Sequence, residues 1–380
     1  MWGTPEVRKL IHKVLLDNGQ DPITNKINDI FSLAKDHFHK GDILNSKRHI
    51  LTFKNMVLDT TTLEVLPFSP EYYSTILIKY EYNSKAKCEK WLSFIDDILL
   101  DDDLQKVIQE MMGYCLTTDT QFHVAFFLDG GGRNGKSTFM EVLKSLVGQE
   151  NVSNTSFHTL SSRFGLQNME NKLLNYDAEI SADNLPNTNM FKAIVGGDPV
   201  EVERKFRDSY TTRFFCKLVY AANELPAIRD RSKGFFSRLV IIPFLNEFTK
   251  EKGNLDRTII TKLLKEMPGV LNWAIEGLKR IREQDGFTTA LRSTRRLNEY
   301  MKENSSLLQF VDEECIVFKD AKVSAREFFI RYTDFCRDSG LKPFSRKKVG
   351  AEISKLPQIE SKYCSNRRTY IHIKVREEDF

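Results

Sequence analysis

Residues 123–147 constrain the fold of this 380-residue chain more than any other stretch. A short apolar run, Val124–Leu128, has the length and composition of a buried strand. The glycine-rich loop Gly130–Ser137 (GGGRNGKS) then matches the phosphate-binding P-loop pattern in full. Apolar side chains recur at helical spacing from Phe139 to Val147. This order of strand, glycine loop and helix predicts an α/β fold that binds a nucleoside triphosphate.

Each part of the loop has a chemical task. Glycines let successive N–H groups face one anion, and the positive end of the following helix points at the same place. Lys136 is spaced to reach the β- and γ-phosphates, and the Ser137 hydroxyl can ligate Mg²⁺. The alternative is a glycine-rich turn with a chance lysine, which would not require the flanking strand and helix. The residues predicted to bind ATP are Gly130, Gly131, Gly132, Arg133, Asn134, Gly135, Lys136, Ser137 and Thr138.

Composition narrows the class of protein. Hydrophobic residues make up 41% and charged residues 28% of the chain, as in an ordinary globular protein. No apolar run reaches membrane-spanning length, and the N-terminus has no secretory h-region. The six cysteines are far apart, without a C-x-x-C or paired histidine spacing, so neither zinc nor a disulfide framework is predicted. A reducing, cytoplasmic setting fits best.

Charge is unevenly distributed along the chain. The net charge is only +4, which excludes a polycation, yet residues 342–374 contain just two acids, Glu352 and Glu360. The basic residues of this segment are Lys342, Arg346, Lys347, Lys348, Lys355, Lys362, Arg367, Arg368 and Lys374. Such an excess is typical of a nucleic-acid contact face, and a solvated surface is the alternative.

Short apolar runs alternate with helical stretches beyond the P-loop. Runs at 172–180, 217–222 and 239–243 suit buried strands, and residues 255–282 have helical spacing. Strands that alternate with helices predict a mostly parallel sheet covered on both faces.

The flanking regions have other patterns. Two helical stripes occupy 1–40, a strand hairpin is predicted within 47–70, and two amphipathic helices follow at 88–100 and 104–116. The aspartates between those two helices could form a metal cluster, but a solvated loop with a helix N-cap is favoured. Near the C-terminus, helices at 324–338 and 345–356 precede a hairpin at 363–375, the order expected of a winged helix. The predicted units are 1–45, 46–120, 121–284 and 285–380.

Polar residues at strand ends are the candidate catalytic groups. Asp177 and Glu179 end one strand, where alternation would put both on one face. We predict Asp177 near Mg²⁺ and Glu179 near the attacking water, with two exposed acids as the alternative. Asn223 follows a strand that should lie beside the other two, so its amide could touch the γ-phosphate; a strand-end turn is the alternative. Arg238, or nearly as well Arg231, could reach a neighbouring subunit's phosphate, although a surface arginine is the default.

The segment between the strand-like stretches at 200–203 and 212–216 is basic. Arg204, Lys205, Phe206 and Arg207 lie in the predicted tip of a hairpin at 204–209, where cations surround an aromatic ring. Such a group can hold a phosphate backbone and pack on a sugar or base, although a solvated turn is at least as good an explanation.

Together these pieces resemble the superfamily three helicases, which are AAA+ ring motors, and most closely the helicase module of phage, plasmid and poxvirus primase-helicases. The stretches that carry the resemblance are Ile50–Glu71, Glu110–Leu116, Phe191–Phe206, Tyr220–Pro226 and Phe235–Phe244. It implies an AAA+ P-loop NTPase core with an N-terminal α+β segment and a C-terminal winged-helix-like domain.

The resemblance also implies roles for residues. Lys205 and Phe206 would grip DNA in a pore hairpin, Asn223 would be the sensor, and Arg238, rather than Arg231, the arginine finger. Family members often have adjacent acids after the second strand, whereas Ala178 separates Asp177 from Glu179 here. The resemblance implies that Glu179 is the acid that positions the attacking water, and it leaves the metal role of Asp177 open.

The resemblance implies an ATP- and Mg²⁺-dependent helicase that forms a hexameric ring and moves 3′ to 5′ on single-stranded DNA. No primase signature is visible, so a primase or polymerase domain would act in cis or in trans. A phage or plasmid gene would place the protein in the bacterial host cytoplasm. The alternatives are a non-translocating AAA+ origin-binding or loader ATPase, and a small-molecule or nucleoside kinase on the same P-loop.

Overall fold

The N-terminal part of the chain is helical. The computed structural model describes residues 4–37, 45–161, 165–180, 188–204, 207–228, 230, 232–364 and 367–376. Helices α1 (Thr4–Asp17) and α2 (Thr24–His37) pack against each other. The turn between them contains Gly19 in the left-handed region, as expected after a helix C-terminus.

A small sheet and two helices follow. Its strands are β1 (Ile50–Phe53), β2 (Val57–Asp59), β3 (Val65–Leu66) and β4 (Leu77–Ile78), in the order β3-β2-β1-β4. The predicted hairpin is present as β1 and β2, which pair antiparallel, while β4 adds parallel to β1. The predicted helices are α3 (Glu89–Ile98) and α4 (Asp102–Cys115), whose apolar sides are buried.

The centre of the molecule is a five-stranded sheet. The elements of this region are β5 (Ala125–Asp129), α5 (Lys136–Val147), β6 (Val152–Ser153), β7 (Leu174–Asp177), α6 (Asn189–Gly196), β8 (Pro199–Arg204), β9 (Arg207–Arg213), β10 (Lys217–Ala222), α7 (Lys233–Phe236) and β11 (Leu239–Pro243). The strand order is β11-β5-β10-β7-β6, and every pair in the sheet is parallel. The predicted parallel sheet is confirmed, and the two-residue strand β6 is added at its edge.

Helices cover both faces of this sheet. Along β5, Phe126 and Leu128 point into one apolar core, and Ala125 and Phe127 point into another. Helices α3, α4 and α5, with α8 (Ile259–Leu264) and α9 (Met267–Glu283), contribute to the first core. Helices α6, α7 and α10 (Leu291–Glu303) contribute to the second. The strands are therefore apolar on both sides, which explains their continuous hydrophobic runs.

Helices α4 and α9 approach so closely that only glycine fits at their contact. A Cβ atom on Gly113 would lie 2.3 Å from the carbonyl oxygen of Ala274, and one on Gly277 would lie 2.2 Å from that of Gln109. These glycines lock α9 to the helix that leads into β5.

The C-terminal part has a core of its own. Its elements are α11 (Ser306–Glu314), β12 (Cys315–Ser324), α12 (Ala325–Asp338), α13 (Arg346–Ile353), β13 (Glu360–Cys364) and β14 (Arg367–Val375). The strands form an antiparallel sheet in the order β12-β14-β13, which packs on the helices through Phe310, Phe328 and Tyr332. Ser324 and Ser345 cap the two predicted helices. The sequence did not predict β12, because five consecutive exposed residues hide its alternation. The winged-helix assignment stays a prediction.

The predicted unit boundaries also stay predictions. Helix α10 begins beyond the predicted boundary at 284, yet it packs on β11 of the central sheet. Within the described residues, no helix is long and apolar enough to cross a membrane. Nor do the described histidine, cysteine, aspartate and glutamate side chains form a group of three or more that could hold a metal ion.

Candidate nucleotide site and its relatives

The P-loop begins where three strands end at the same level. Asp129, the last residue of β5, pairs with Ala222 of β10 and with Pro243 of β11. Two of the loop glycines have positive φ angles, +149° at Gly130 and +88° at Gly135. A Cβ atom would lie 2.4 Å from the Phe244 carbonyl oxygen at the first position, and 2.6 Å from a side-chain carbon of Ile98 at the second. Both positions therefore require glycine for the loop to curl over the start of α5.

Lys136 is held inside the curl of the loop. Its Nζ donates to the carbonyl oxygens of Gly130 and Gly131, the latter at 3.0 Å, and to Asn134 Oδ1 at 3.2 Å. The residue is 6% exposed. Burial lowers the pKa of this ammonium group, and the nearby Asp129 carboxylate opposes that shift. This geometry holds the partly desolvated Lys136 ammonium group towards the space that the loop encloses.

Asn134 ties the loop to the far side of the site. Its buried amide donates to the carbonyl oxygens of Gly131 and, at 3.3 Å, of Phe244, the residue after β11. The Arg133 carbonyl accepts from the Phe248 N–H at 2.7 Å. Both links hold the P-loop and the chain beyond β11 in one fixed arrangement.

A cavity of about 850 Å³ opens at the P-loop. Its lining includes seven of the predicted ATP-binding residues, from Gly132 to Thr138, together with Glu179 and Asn223. Gly130 and Gly131 are not among the lining residues. Asn223 reaches the cavity because β10 pairs with both β5 and β7, as the sequence predicted. The volume lies within the range of small-molecule and cofactor sites.

The two strand-end acids differ in position. Asp177 ends β7 and pairs with Tyr220, two residues before Ala222 at the mouth of the sheet, whereas Glu179 lies two residues beyond the end of β7. Glu179 is exposed and lines the cavity. The Asp177 carboxylate accepts instead from the Phe157 N–H at 3.2 Å. The structure thus brings Glu179 to the P-loop, and the metal role of Asp177 stays a prediction.

Arg238 lies at the opposite end of the sheet. The residue after it, Leu239, pairs with Ala125, the first residue of β5, whereas the P-loop follows Asp129 at the other end. Four residues of strand separate the two ends, or about 13 Å. The half-buried guanidinium donates to the Gly234 carbonyl oxygen, and its Nε has no hydrogen-bond partner among the described residues. Arg231 lies outside the described residues.

The predicted hairpin is present as β8 and β9. The strands pair from Pro199 with Arg213 to Arg204 with Arg207, so residues 207–209, which were expected in the tip, belong to β9. Val200 and Val202 anchor the hairpin in the second core. Lys205 and Phe206 lie outside the described residues, as do the side chains of Arg204 and Arg207.

Three families match separate parts of the chain. Residues 5–100 match the D5 N-terminal-like family, residues 128–238 a family of unknown function (DUF5906), and residues 302–378 the poxvirus D5 protein-like family. The chain is 23% identical over 224 residues to putative helicase L207/L206 of Acanthamoeba polyphaga mimivirus and 24% identical over 241 residues to putative helicase 121R of Invertebrate iridescent virus 3. The predicted resemblance to poxvirus-type primase-helicases is confirmed.

The matches to the two viral helicases cover 54% and 58% of this chain but only 23% and 26% of those proteins. A third relative, the uncharacterized mitochondrial protein ymf21 of Marchantia polymorpha, is 27% identical over 132 residues, which are 31% of this chain and 73% of that protein. The apo A-form structure of the NrS-1 C-terminal region superposes with a TM-score of 0.49 and 14% identity, over 78% of this chain and 79% of that one.

Sequence reasoning missed the ion pair between Arg296 and Asp129. Arg296 Nε of α10 lies 2.5 Å from Asp129 Oδ2, and Arg296 also bonds Glu303 at 2.8 Å. The side chains of Arg296 and Asp129 are 21% and 10% exposed. Burial lowers the pKa of Arg296, but contact with the two carboxylates holds it above its usual value. No local pattern joins residues 129 and 296, because the contact depends on α10 packing against β11.

Proposed function

We propose that this chain is the ATP-driven helicase module of a viral or phage-type replication protein, and that it assembles into a hexameric AAA+ ring on single-stranded DNA. One observation carries the proposal. Lys136, Ser137, Glu179 and Asn223 share a cavity at one end of the sheet, whereas Arg238 lies at the other end. Within one protomer Arg238 cannot reach that cavity. A head-to-tail ring interface would bring it to the cavity of the neighbouring protomer.

Each cavity residue would have a separate role in ATP hydrolysis. Backbone N–H groups of the loop would bind the phosphates of ATP, and the Lys136 ammonium would exchange carbonyl oxygens for phosphate oxygens. Ser137 would ligate Mg²⁺, which neutralises phosphate charge when bound. Glu179 is the residue that would orient the attacking water, and Asn223 would contact the γ-phosphate without adding charge. Asp177 is the weaker metal ligand because the Phe157 N–H already occupies one of its oxygens.

The DNA contacts would come from two basic regions. The β8–β9 hairpin leads directly into the start of β10 and so begins at the Arg238 end of the sheet. Arg204, Lys205, Phe206 and Arg207 are its predicted DNA contacts. The basic C-terminal segment would hold duplex or forked DNA. A primase or polymerase domain in cis or in trans would complete the replication protein.

The test is a pair of assays on the purified chain. We expect single-stranded DNA to stimulate ATP hydrolysis and ATP to drive strand displacement on a forked substrate. Lys205→Ala with Phe206→Ala should abolish the stimulation but leave nucleotide binding intact, whereas the control Lys279→Ala, on the exposed face of α9, should change neither. Full stimulation in the double variant would count against the proposal. ATPase activity and DNA binding without displacement would favour a loader, and a strict monomer without DNA affinity would favour a small-molecule kinase.

A further inference from the structure

A loop that follows β11 forms a second wall of the nucleotide cavity. Residues 245–258 lead from β11 to α8, and Phe248, Leu255 and Ile259 line the cavity from this side. The Phe248 N–H donates to Arg133 of the P-loop at 2.7 Å. Leu255 is 44% exposed, which is unusual for a leucine that faces a cavity beside a phosphate site.

Two polar side chains of this loop, those of Asn254 and Asp256, are bonded within the loop and to the adjacent helix. Asn254 Oδ1 accepts from the Thr249 N–H at 2.9 Å, and its amide donates to the Glu247 carbonyl at 2.9 Å. Asp256 accepts from the Thr258 N–H at 2.8 Å and from Lys262 at 2.6 Å. These bonds give the loop a fixed shape and occupy the polar groups of Asn254 and Asp256. Lys250, Glu251 and Arg257 also line the cavity from this loop, and Phe248, Leu255 and Ile259 are the apolar part of the wall.

The strand order sets the direction of a bound triphosphate. Glu179 and Asn223 follow β7 and β10, on one side of β5, and the loop follows β11, on the other side. A γ-phosphate must face the groups that position the attacking water. The α-phosphate and the nucleoside then extend towards β11 and its loop.

We propose that Phe248, Leu255 and Ile259 form the nucleobase subsite, in which they contact the base and ribose of a nucleoside triphosphate. This rests on the proposed function, since it assumes phosphates at the P-loop. Aromatic and aliphatic side chains suit the flat apolar face of a base, and a stacked base is held without a matching set of polar partners. The links to Arg133 and Phe244 keep the base wall at a constant distance from the phosphate loop.

The experiment compares two exposed leucines of this loop, one of which lines the cavity. Leu255→Ser removes an apolar contact from the cavity, and Leu245→Ser changes a leucine that is 55% exposed and is not among the cavity-lining residues. Binding of ATP and of inorganic tripolyphosphate, which has no base, is measured for both variants by calorimetry with Mg²⁺. We expect Leu255→Ser to weaken ATP binding by about tenfold and to leave tripolyphosphate binding unchanged. Leu245→Ser should change neither.

Three outcomes separate the hypotheses. Unchanged ATP affinity in Leu255→Ser, with tripolyphosphate still bound, would overturn the base subsite and leave the proposed function intact. Equal weakening of both ligands would also overturn it, because the loop would then act on the phosphate site. Failure of the wild-type chain to bind either ligand would remove the proposed function and this inference together. Phe248→Leu provides a second variant, for which a selective loss of ATP affinity is expected.

Discussion

The position of Arg238 can be tested by mixing two inactive variants. Lys136→Ala disables the P-loop of its own protomer but keeps Arg238, and Arg238→Ala does the reverse. We expect each variant alone to hydrolyse ATP at least about a thousandfold more slowly than the wild type, since arginine fingers elsewhere contribute that much to the rate. Because the P-loop and Arg238 lie at opposite ends of β5, which is about 13 Å long, only an interface between unlike protomers can combine an intact Lys136 with an intact Arg238.

The expected recovery follows from counting interfaces. In an equal mixture that assembles at random, about one interface in four pairs an intact P-loop with an intact arginine, so activity should rise to about one quarter of the wild-type rate. This fraction does not depend on the number of protomers in the ring. When the proportion of one variant is varied at constant total protein, activity should be greatest for the equal mixture and fall on both sides.

The assay is steady-state ATP hydrolysis at saturating ATP and single-stranded DNA. The matched control mixes Lys136→Ala with Glu179→Gln, whose defects both lie in the cavity of one protomer. No interface in that mixture is complete, so no recovery is expected. If labelled subunits co-assemble and yet the mixture of Lys136→Ala with Arg238→Ala shows only the summed ATPase activities of the two variants, Arg238 does not act across an interface.

Three further predictions concern the central sheet. Glu179→Gln should bind ATP with wild-type affinity but hydrolyse it at least about a hundredfold more slowly, in single-turnover measurements, and a normal rate would exclude Glu179 as the water-positioning residue. Arg296→Leu should lower the free energy of unfolding by about 2 kcal/mol in urea titrations, because Asp129 stays largely buried without its cation. The double variant Arg296→Leu with Asp129→Asn should lose less of this free energy, because no unpaired carboxylate is left. An equal loss in the two variants would contradict this reasoning. Burial lowers the pKa of Lys217 to about 8, so the unfolded chain binds this proton more tightly and the free energy of unfolding rises as the pH increases through 8. Relative to Lys217→Met, the wild type should gain about 1 kcal/mol between pH 7 and 9, and a constant difference would show that Lys217 does not titrate there.

Local features of this protein could be predicted from the sequence. The P-loop, the buried strands of the sheet, the β8–β9 hairpin and the capped helices of the C-terminal part all follow from residue types a few positions apart. Gly130 and Gly135 are examples, because the conformation each one allows is set by its missing Cβ atom. Such signals depend on covalent spacing, so they survive without knowledge of distant contacts.

The sequence predicted that the strand before Asn223 lies beside the other two, but the full lateral arrangement was decided by tertiary structure. Only the structure gives the order β11-β5-β10-β7-β6 and shows that Asp177 still pairs with Tyr220, whereas Glu179 lies beyond the end of β7. The contact of Arg296 with Asp129 and the cavity wall at 245–258 have no local pattern either. Strand order, register and helix docking are set by which apolar surfaces pack together across the whole chain. Residues far apart in the sequence therefore meet only once both cores have formed.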